Sequence, residues 1–292
     1  MKYQHAFFLC MRGRIFDVHM HIKPWDKMKG RAREFVLGKE WKEMMRYASQ
    51  PRALIQLMDT WEIDRAVLIV MPAPEISGFG MEINDFILSY CKGNLDRLIP
   101  MGGINPVTEK KARRTIEALI SKGIRGFKLH PPHQMFYPND YLCGNEALKT
   151  LYSICEEREI PITIHTGTST FPGARNRYGN PLPIDDVAID FPDLKIIMAH
   201  GGRPLWMSEA TFLVRRFQNV YLDISSIPPR SLFEYLPKLE KFAHKVLFGS
   251  DWPNIQIPSI RANADAVLAL PLSTETKERI LRKNAERLFP RY

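Results

Sequence analysis

Cysteine is scarce in this chain of 292 residues: Cys10, Cys91, Cys143 and Cys155 make four, and no two stand at C-x-x-C spacing. That argues against a zinc finger, a thioredoxin-type redox motif and a disulfide framework, so the thiols are expected to be reduced. Long hydrophobic runs are missing too. No apolar stretch approaches the roughly 20 residues of a membrane span, and the run at 6–11 is too short for a secretory core segment. A cytoplasmic enzyme without membrane association is expected. No glycine-rich phosphate loop follows the first apolar run, where Ile22-Lys23-Pro24-Trp25 stands instead, which argues against an open doubly wound nucleotide-binding sheet. Acidic residues, 32 against 41 basic, leave a formal charge of +9. The basic residues are spread along helical faces such as Glu109-Lys110-Lys111-Ala112-Arg113-Arg114, with no nucleic-acid motif. The charge therefore points to an anionic small-molecule substrate and away from nucleic acid.

What the chain does have is a rhythm. Apolar runs of strand length recur at 14–21, 65–71, 98–104, 124–130, 161–165, 195–200, 220–225 and 245–251. Helical patterns lie between them, at about 108–120, 147–158, 205–217, 232–242 and 274–288. In the first of these helices Thr108 is the expected N-cap and Gly123 the stop. Eight strands alternating with helices predict parallel pairing through right-handed crossovers. The expected fold is thus α/β, a (β/α)8 TIM barrel in a single domain at 14–292, preceded by an N-terminal arm at 1–13. Irregular segments at 71–80, 131–144 and 166–183 follow strands and would stand over the C-terminal mouth, where such barrels place their chemistry.

Metal-binding residue types cluster at the ends of these runs. Among the eight histidines, His19, His21, His130, His165 and His200 fall where a strand hands over to a loop, as does Asp251. His19 and His21 are two residues apart and so share a strand face. In a closed barrel the ends of the first, fifth, sixth and eighth strands converge near the axis. His19, His21, His165 and Asp251 can then share one cation. Three neutral imidazoles and a carboxylate suit Zn2+ with a position left for water; Mn2+, Fe2+ and Co2+ are the alternatives.

The stretches Asp17-Val18-His19-Met20-His21, Gly126-Phe127-Lys128-Leu129-His130-Pro131, Ile162-Thr163-Ile164-His165-Thr166-Gly167, Ile196-Ile197-Met198-Ala199-His200-Gly201-Gly202 and Phe248-Gly249-Ser250-Asp251-Trp252-Pro253 together resemble the metal-dependent amidohydrolase superfamily. The similarity runs from about Ile15 to Phe289. It is strongest toward the branch that includes aminocarboxymuconate-semialdehyde decarboxylase, resorcylate-type decarboxylases and lactone hydrolases. The resemblance implies that His19, His21, His165 and Asp251 are metal ligands, that Asp251 also shuttles the proton, and that His200 is the catalytic strand-six histidine. His200 would hydrogen-bond a developing oxyanion or protonate the leaving group. Lys128 has two readings: a carboxylated lysine bridging two metals, or an ammonium that pairs with an aspartate or a substrate carboxylate. A single metal is preferred, because the branch resembles mononuclear enzymes.

Other residues carry alternatives as well. Asp17 either supports His19 or is bonded to backbone low in the barrel; Asp223 either orients His200 or caps a strand end. Arg203, Arg175 and Arg177 are candidates for gripping a substrate carboxylate. Trp25, with Phe171, Trp206 and Trp252, is placed to line an apolar pocket. His5 and His133 read as surface histidines, and His244 falls at the wrong end of the barrel. The leading function is a hydrolase that uses metal-activated water to open an amide, ester or lactone bond of a small, carboxylate-bearing substrate. The second is a nonoxidative decarboxylase using the same ligands, and the third a non-catalytic metal-binding barrel. Pairing into a homodimer is compatible with each.

Overall fold

In the computed structural model residues 15–38, 41–254, 257 and 259–291 are described; the arm expected at 1–13, with His5 and Cys10, lies outside them. Eight strands appear where the apolar runs predict them: β1 (Ile15–Met20), β2 (Ile63–Ile69), β3 (Leu98–Met101), β4 (Phe127–Leu129), β5 (Ile162–His165), β6 (Ile196–Ala199), β7 (Val220–Asp223) and β8 (Val246–Leu247). They pair in parallel and in chain order, as a three-stranded and a five-stranded sheet. Single parallel bridges, Gly102 with Phe127 and Met20 with Trp252, join the two sheets at both seams. Hydrogen bonds from Lys128 N to Gly102 O (2.7 Å) and from Val18 N to Phe248 O (3.0 Å) back them up. The ring is the TIM barrel that the alternation implied.

Both faces of the strands are buried, as an all-parallel sheet requires. Along β2, Ala66 and Leu68 belong to one large apolar cluster, while Val67 and Ile69 belong to a smaller one with Phe289 and Leu288. The same period of two puts Phe127 and Leu129, Ile162 and Ile164, and Val220 and Leu222 in the large cluster. Lys128, His165 and Asp223 are thereby left on the opposite strand face.

Several expectations shift in detail. Thr108 does not cap its helix, which spans Ala112–Ser121. The Asn105 side chain instead accepts from Val107 N at 3.1 Å, a local turn that competes with helix initiation. The helix expected at 232–242 is one turn, Leu232–Tyr235, followed by a 3-10 segment at Leu239–Lys245; Pro237 has no N–H to continue it. The 274–288 helix is continuous but contains a π-helical stretch at Arg279–Lys283. The pattern reading named no helix at Ile83–Cys91, Ile184–Asp190 or Ile260–Leu268, nor the three helices Gly30–Leu37, Met44–Ser49 and Pro51–Thr60 between β1 and β2.

Strand β8 stops at Leu247 because the chain beyond it bonds across the seam to β1: Asp251 N donates to His19 O at 2.8 Å and His21 N to Trp252 O at 2.7 Å. Gly249 makes this approach feasible, since a Cβ there would sit 2.3 Å from Asp223 Oδ1 and 2.8 Å from the His19 Cβ. Asp17 ties the same seam. Its Oδ1 accepts from His19 N (2.9 Å) and Ser250 N (3.0 Å), so the backbone-bonded reading of this residue holds.

Burial raises the Asp17 carboxyl from 3.8 to about 7. Between those values the folded chain holds a proton that the unfolded chain has released, so this residue's contribution is complete below pH 3.8 and is lost as pH rises toward 7. Asp17→Asn keeps the acceptor and removes that slope. Its melting temperature is expected to gain on the wild type by several degrees between pH 5 and pH 8 (about 1.4 kcal/mol per pKa unit). Parallel melting profiles across that range would refute the assignment.

Candidate metal centre

His19 lies within β1 and His21 one residue past its end. The His19 Nδ1 atom is 2.5 Å from Asp223 Oδ2. A carboxylate only accepts, so Nδ1 carries the hydrogen and Nε2 keeps its lone pair. His21 Nδ1 donates to Ile69 O at 2.9 Å, and His200 Nδ1 donates to Ser225 O at 3.1 Å, which fixes the same tautomer in each ring. Three imidazole lone pairs are thus turned away from their backbone and carboxylate anchors.

Two of these lone pairs meet Asp251. His21 Nε2 lies 3.1 Å and His19 Nε2 3.6 Å from the same oxygen, Oδ1. Lone pair against carboxylate is repulsive unless positive charge lies between them. The donor atoms of His19, His200 and Asp251 all fall within 4.8 Å of one another. His165 adds a buried Nε2 with no partner among the described residues, its ring 4.7 Å from that of His200. These residues fit a divalent cation in chemistry and in orientation. The backbone is strained to present them: His200 and Asp251 sit at φ 65° and 67°, the left-handed region that non-glycine residues seldom adopt.

Around the donors the charge is mostly positive. Lys128 is 1% exposed and its Nζ has no partner among the described residues. Burial lowers its ammonium to about 8, with Asp223 and Asp251 opposing the shift. Lys23 is pushed down to about 8 by burial, against the pull of Asp251. Burial also lowers Arg203, whose Nε is buried and unpartnered among the described residues. His165 and His200 are driven well below their ordinary value by burial and are neutral, as ligands must be.

A model of the family described as amidohydrolase matches residues 16–291. The chain belongs to the amidohydrolase family. That makes it an enzyme of a metal-dependent superfamily. No curated protein matches it. Among solved structures it is similar to an uncharacterised TIM-barrel protein of Bordetella bronchiseptica, at 23% identity and TM-score 0.69, covering 94% of this chain and 98% of the other. It is also similar to 2,6-dihydroxybenzoate decarboxylase, at 17% and 0.69 over 95% and 99%. A third is the 5-carboxyvanillate decarboxylase of Novosphingobium aromaticivorans, complexed with manganese, at 16% and 0.67 over 94% and 95%. At these identities the likeness shows the fold alone.

In this amidohydrolase the barrel brings together His19, His21, His165, His200, Asp251 and Lys128, which all line one cavity at the mouth with Trp25 and Arg203. Arg175 and Arg177 are not part of it; both are exposed, and Arg177 Nη2 donates to the Tyr178 hydroxyl at 2.7 Å. Asp223 orients His19, and Ser225 takes the place beside His200, with its Oγ 2.9 Å from His200 Nδ1. His133, expected at the surface, is 5% exposed and lines the cavity, because the 131–144 segment folds inward as a short helix at Pro131–Gln134. Phe171 lines the cavity as well, whereas Trp252 packs on Tyr47 and Trp61 outside it. His244 lies in the segment leading into the foot of β8. Lys23 and Ser169 were missed. The only signal for Lys23 was its place two residues after His21.

Asp223 fixes the His19 tautomer, so Asp223→Ala is expected to weaken zinc binding about 10–100-fold. Competition against a chromogenic chelator measures it, with circular dichroism confirming the fold. Unchanged affinity in a folded variant would show that Asp223 is merely a strand-end cap.

Proposed function

We propose that this amidohydrolase is a hydrolase that opens an amide, ester or lactone bond of a small carboxylate-bearing substrate. The observation that carries the reading is the state of Asp251. Its Oδ1 faces the imidazole lone pairs while its Oδ2 accepts from the Ser226 hydroxyl at 2.5 Å. It is presented as an ionised acceptor, which is what removal of a proton from water requires.

His19, His21, His165 and Asp251 would hold one cation, with His200 beside it; Zn2+ suits three nitrogens and a carboxylate best, and Mn2+, Fe2+ and Co2+ are the alternatives. When bound, the cation supplies Lewis acidity, polarising a carbonyl oxygen and acidifying a water. Asp251 takes the proton released as water attacks, and passes it to the leaving group. Lys128 and Arg203, both without acceptors at buried nitrogens among the described residues, hold the substrate carboxylate, Lys128 as an ammonium. The apolar walls, with Trp25 and Phe171 among them, exclude bulk water. Among the described residues three free thiols, two of them buried, fit a reducing cytoplasm, and no described helix is long and apolar enough to cross a membrane.

A second reading has its own support. Aromatic walls around a cationic pocket also suit an aromatic acid, and two proteins of similar fold carry the names of aromatic-acid decarboxylases. In that case Asp251 would have to deliver a proton to carbon rather than take one from water.

Asp251→Asn is expected to lower kcat about 10²–10⁴-fold while the protein retains zinc. Removing the metal with a chelator should abolish turnover, and adding Zn2+ should restore it. The wild type is assayed on a panel of lactones, esters, amides and aromatic acids, recording acid release and carbon dioxide side by side. Carbon dioxide without acid release would replace hydrolysis with decarboxylation. Full turnover in Asp251→Asn would remove the proton-transfer role.

A further inference from the structure

The donor set occupies one part of the cavity, and the lining residues beyond it have unmet hydrogen-bonding capacity. Ten buried side-chain nitrogens and oxygens lack partners among the described residues. Six of them line this cavity: Trp25 Nε1, Lys128 Nζ, His130 Nδ1, His133 Nδ1, His165 Nε2 and Arg203 Nε. Orphaned buried polar atoms are costly and rare, so their concentration in one place marks where a polar ligand sits.

Lys128, His165 and Arg203 belong with the donor set. His133 stands apart, two stacked rings away: its ring lies 3.5 Å from that of His130, which lies 3.8 Å from that of His165. His133 Nε2 is 2.8 Å from the Ser169 hydroxyl, with both residues buried. Burial and the nearby Lys23 and Lys128 lower His133 to about 3, so the ring is neutral. A neutral imidazole paired with a hydroxyl always leaves one hydrogen for a ligand. If Nε2–H donates to Ser169, the hydroxyl hydrogen is free; if the hydroxyl donates, Nδ1–H is free. Lys23 lines the same cavity, is 8% exposed, and its ammonium has no hydrogen-bond acceptor among the described residues.

Building on the hydrolase reading, we infer that the His133–Ser169 pair and Lys23 form a second anion subsite, so that the substrate is a dicarboxylate with one carboxylate beyond the reacting end. Charge agrees with two negative groups. Among the described residues Lys23, Lys128 and Arg203 face the cavity against a single lining carboxylate, Asp251. Apolar side chains, among them Trp25, Ile76 and Phe171, line the same space and suit a short hydrocarbon or ring joining the two carboxylates. Phe171 also meets the His133 ring edge-on at 4.9 Å.

The test uses matched acids on zinc-loaded enzyme, benzoate against isophthalate and butyrate against glutarate, titrated by calorimetry. In each pair the wild type is expected to bind the dicarboxylate about tenfold tighter. That advantage should fall to about twofold or less in Ser169→Ala and in His133→Phe, with monocarboxylate affinity unchanged, which also verifies the fold. Ser169→Thr keeps the hydroxyl and should keep the advantage. No dicarboxylate preference, no binding of any of the four acids, or a preference that survives both disabling variants would overturn the subsite. Repeating the titrations after chelation separates this inference from the metal reading. Monocarboxylate affinity that ignores zinc counts against the metal centre, while the dicarboxylate ratio still decides the subsite.

Discussion

Two imidazole lone pairs held against one carboxylate oxygen, at 3.1 and 3.6 Å, impose the constraint on which this site depends. Left without positive charge between them they repel, and nothing in a relaxed barrel would keep them there. Several anchors do so. Asp223 fixes His19 from behind, Ile69 O fixes His21, and the Ser226 hydroxyl holds the far oxygen of Asp251. Ile69 ends β2, while Asp223 and Ser226 come from the end of β7 and its loop, and all three act on residues of β1 and the β8 end, so the converging geometry is a property of the closed ring. The seam between β1 and β8 is drawn together by the bonds of Asp17 and by Asp251 N on His19 O.

The surroundings of the donors extend the same logic to the ligand. Lys23, Lys128 and Arg203 are cations that burial disfavours, kept in place by a fold stable enough to bear them. Buried charges without partners are destabilising in an isolated protein and become favourable when an anion arrives. The left-handed backbone at His200 and Asp251 belongs to the same class of cost. A site that is strained and positively charged when empty is organised to recognise a small anionic molecule beside a divalent ion.

Much of this was legible before any coordinates. Eight apolar runs located all eight strands, and the residues at their ends included each donor that the barrel gathers. Boundaries were less legible. Thr108 looks like an N-cap, yet Asn105 and Pro106 hold that segment in a turn, and Pro237 divides a segment whose apolar pattern reads as one helix. Short β8 looked longer because 245–251 reads as one run, whereas the chain past Leu247, Phe248-Gly249-Ser250-Asp251, bonds irregularly across the seam. The loop residues were hardest. Arg175 and Arg177 share their type with Arg203 and likewise stand in a loop that follows a strand, and only Arg203 lines the cavity.

The sequence by itself determined the alternation of strands and helices, the inward face of each strand and the residue types at its end. These follow from local periodicity, which any stretch of a few residues carries. Tertiary structure decided which side chains share a partner. Asp223 serves His19 rather than His200, His133 is folded in beside Ser169, and Lys23 joins the cavity, because hydrogen bonds between residues distant along the chain depend on loop paths that no local pattern specifies.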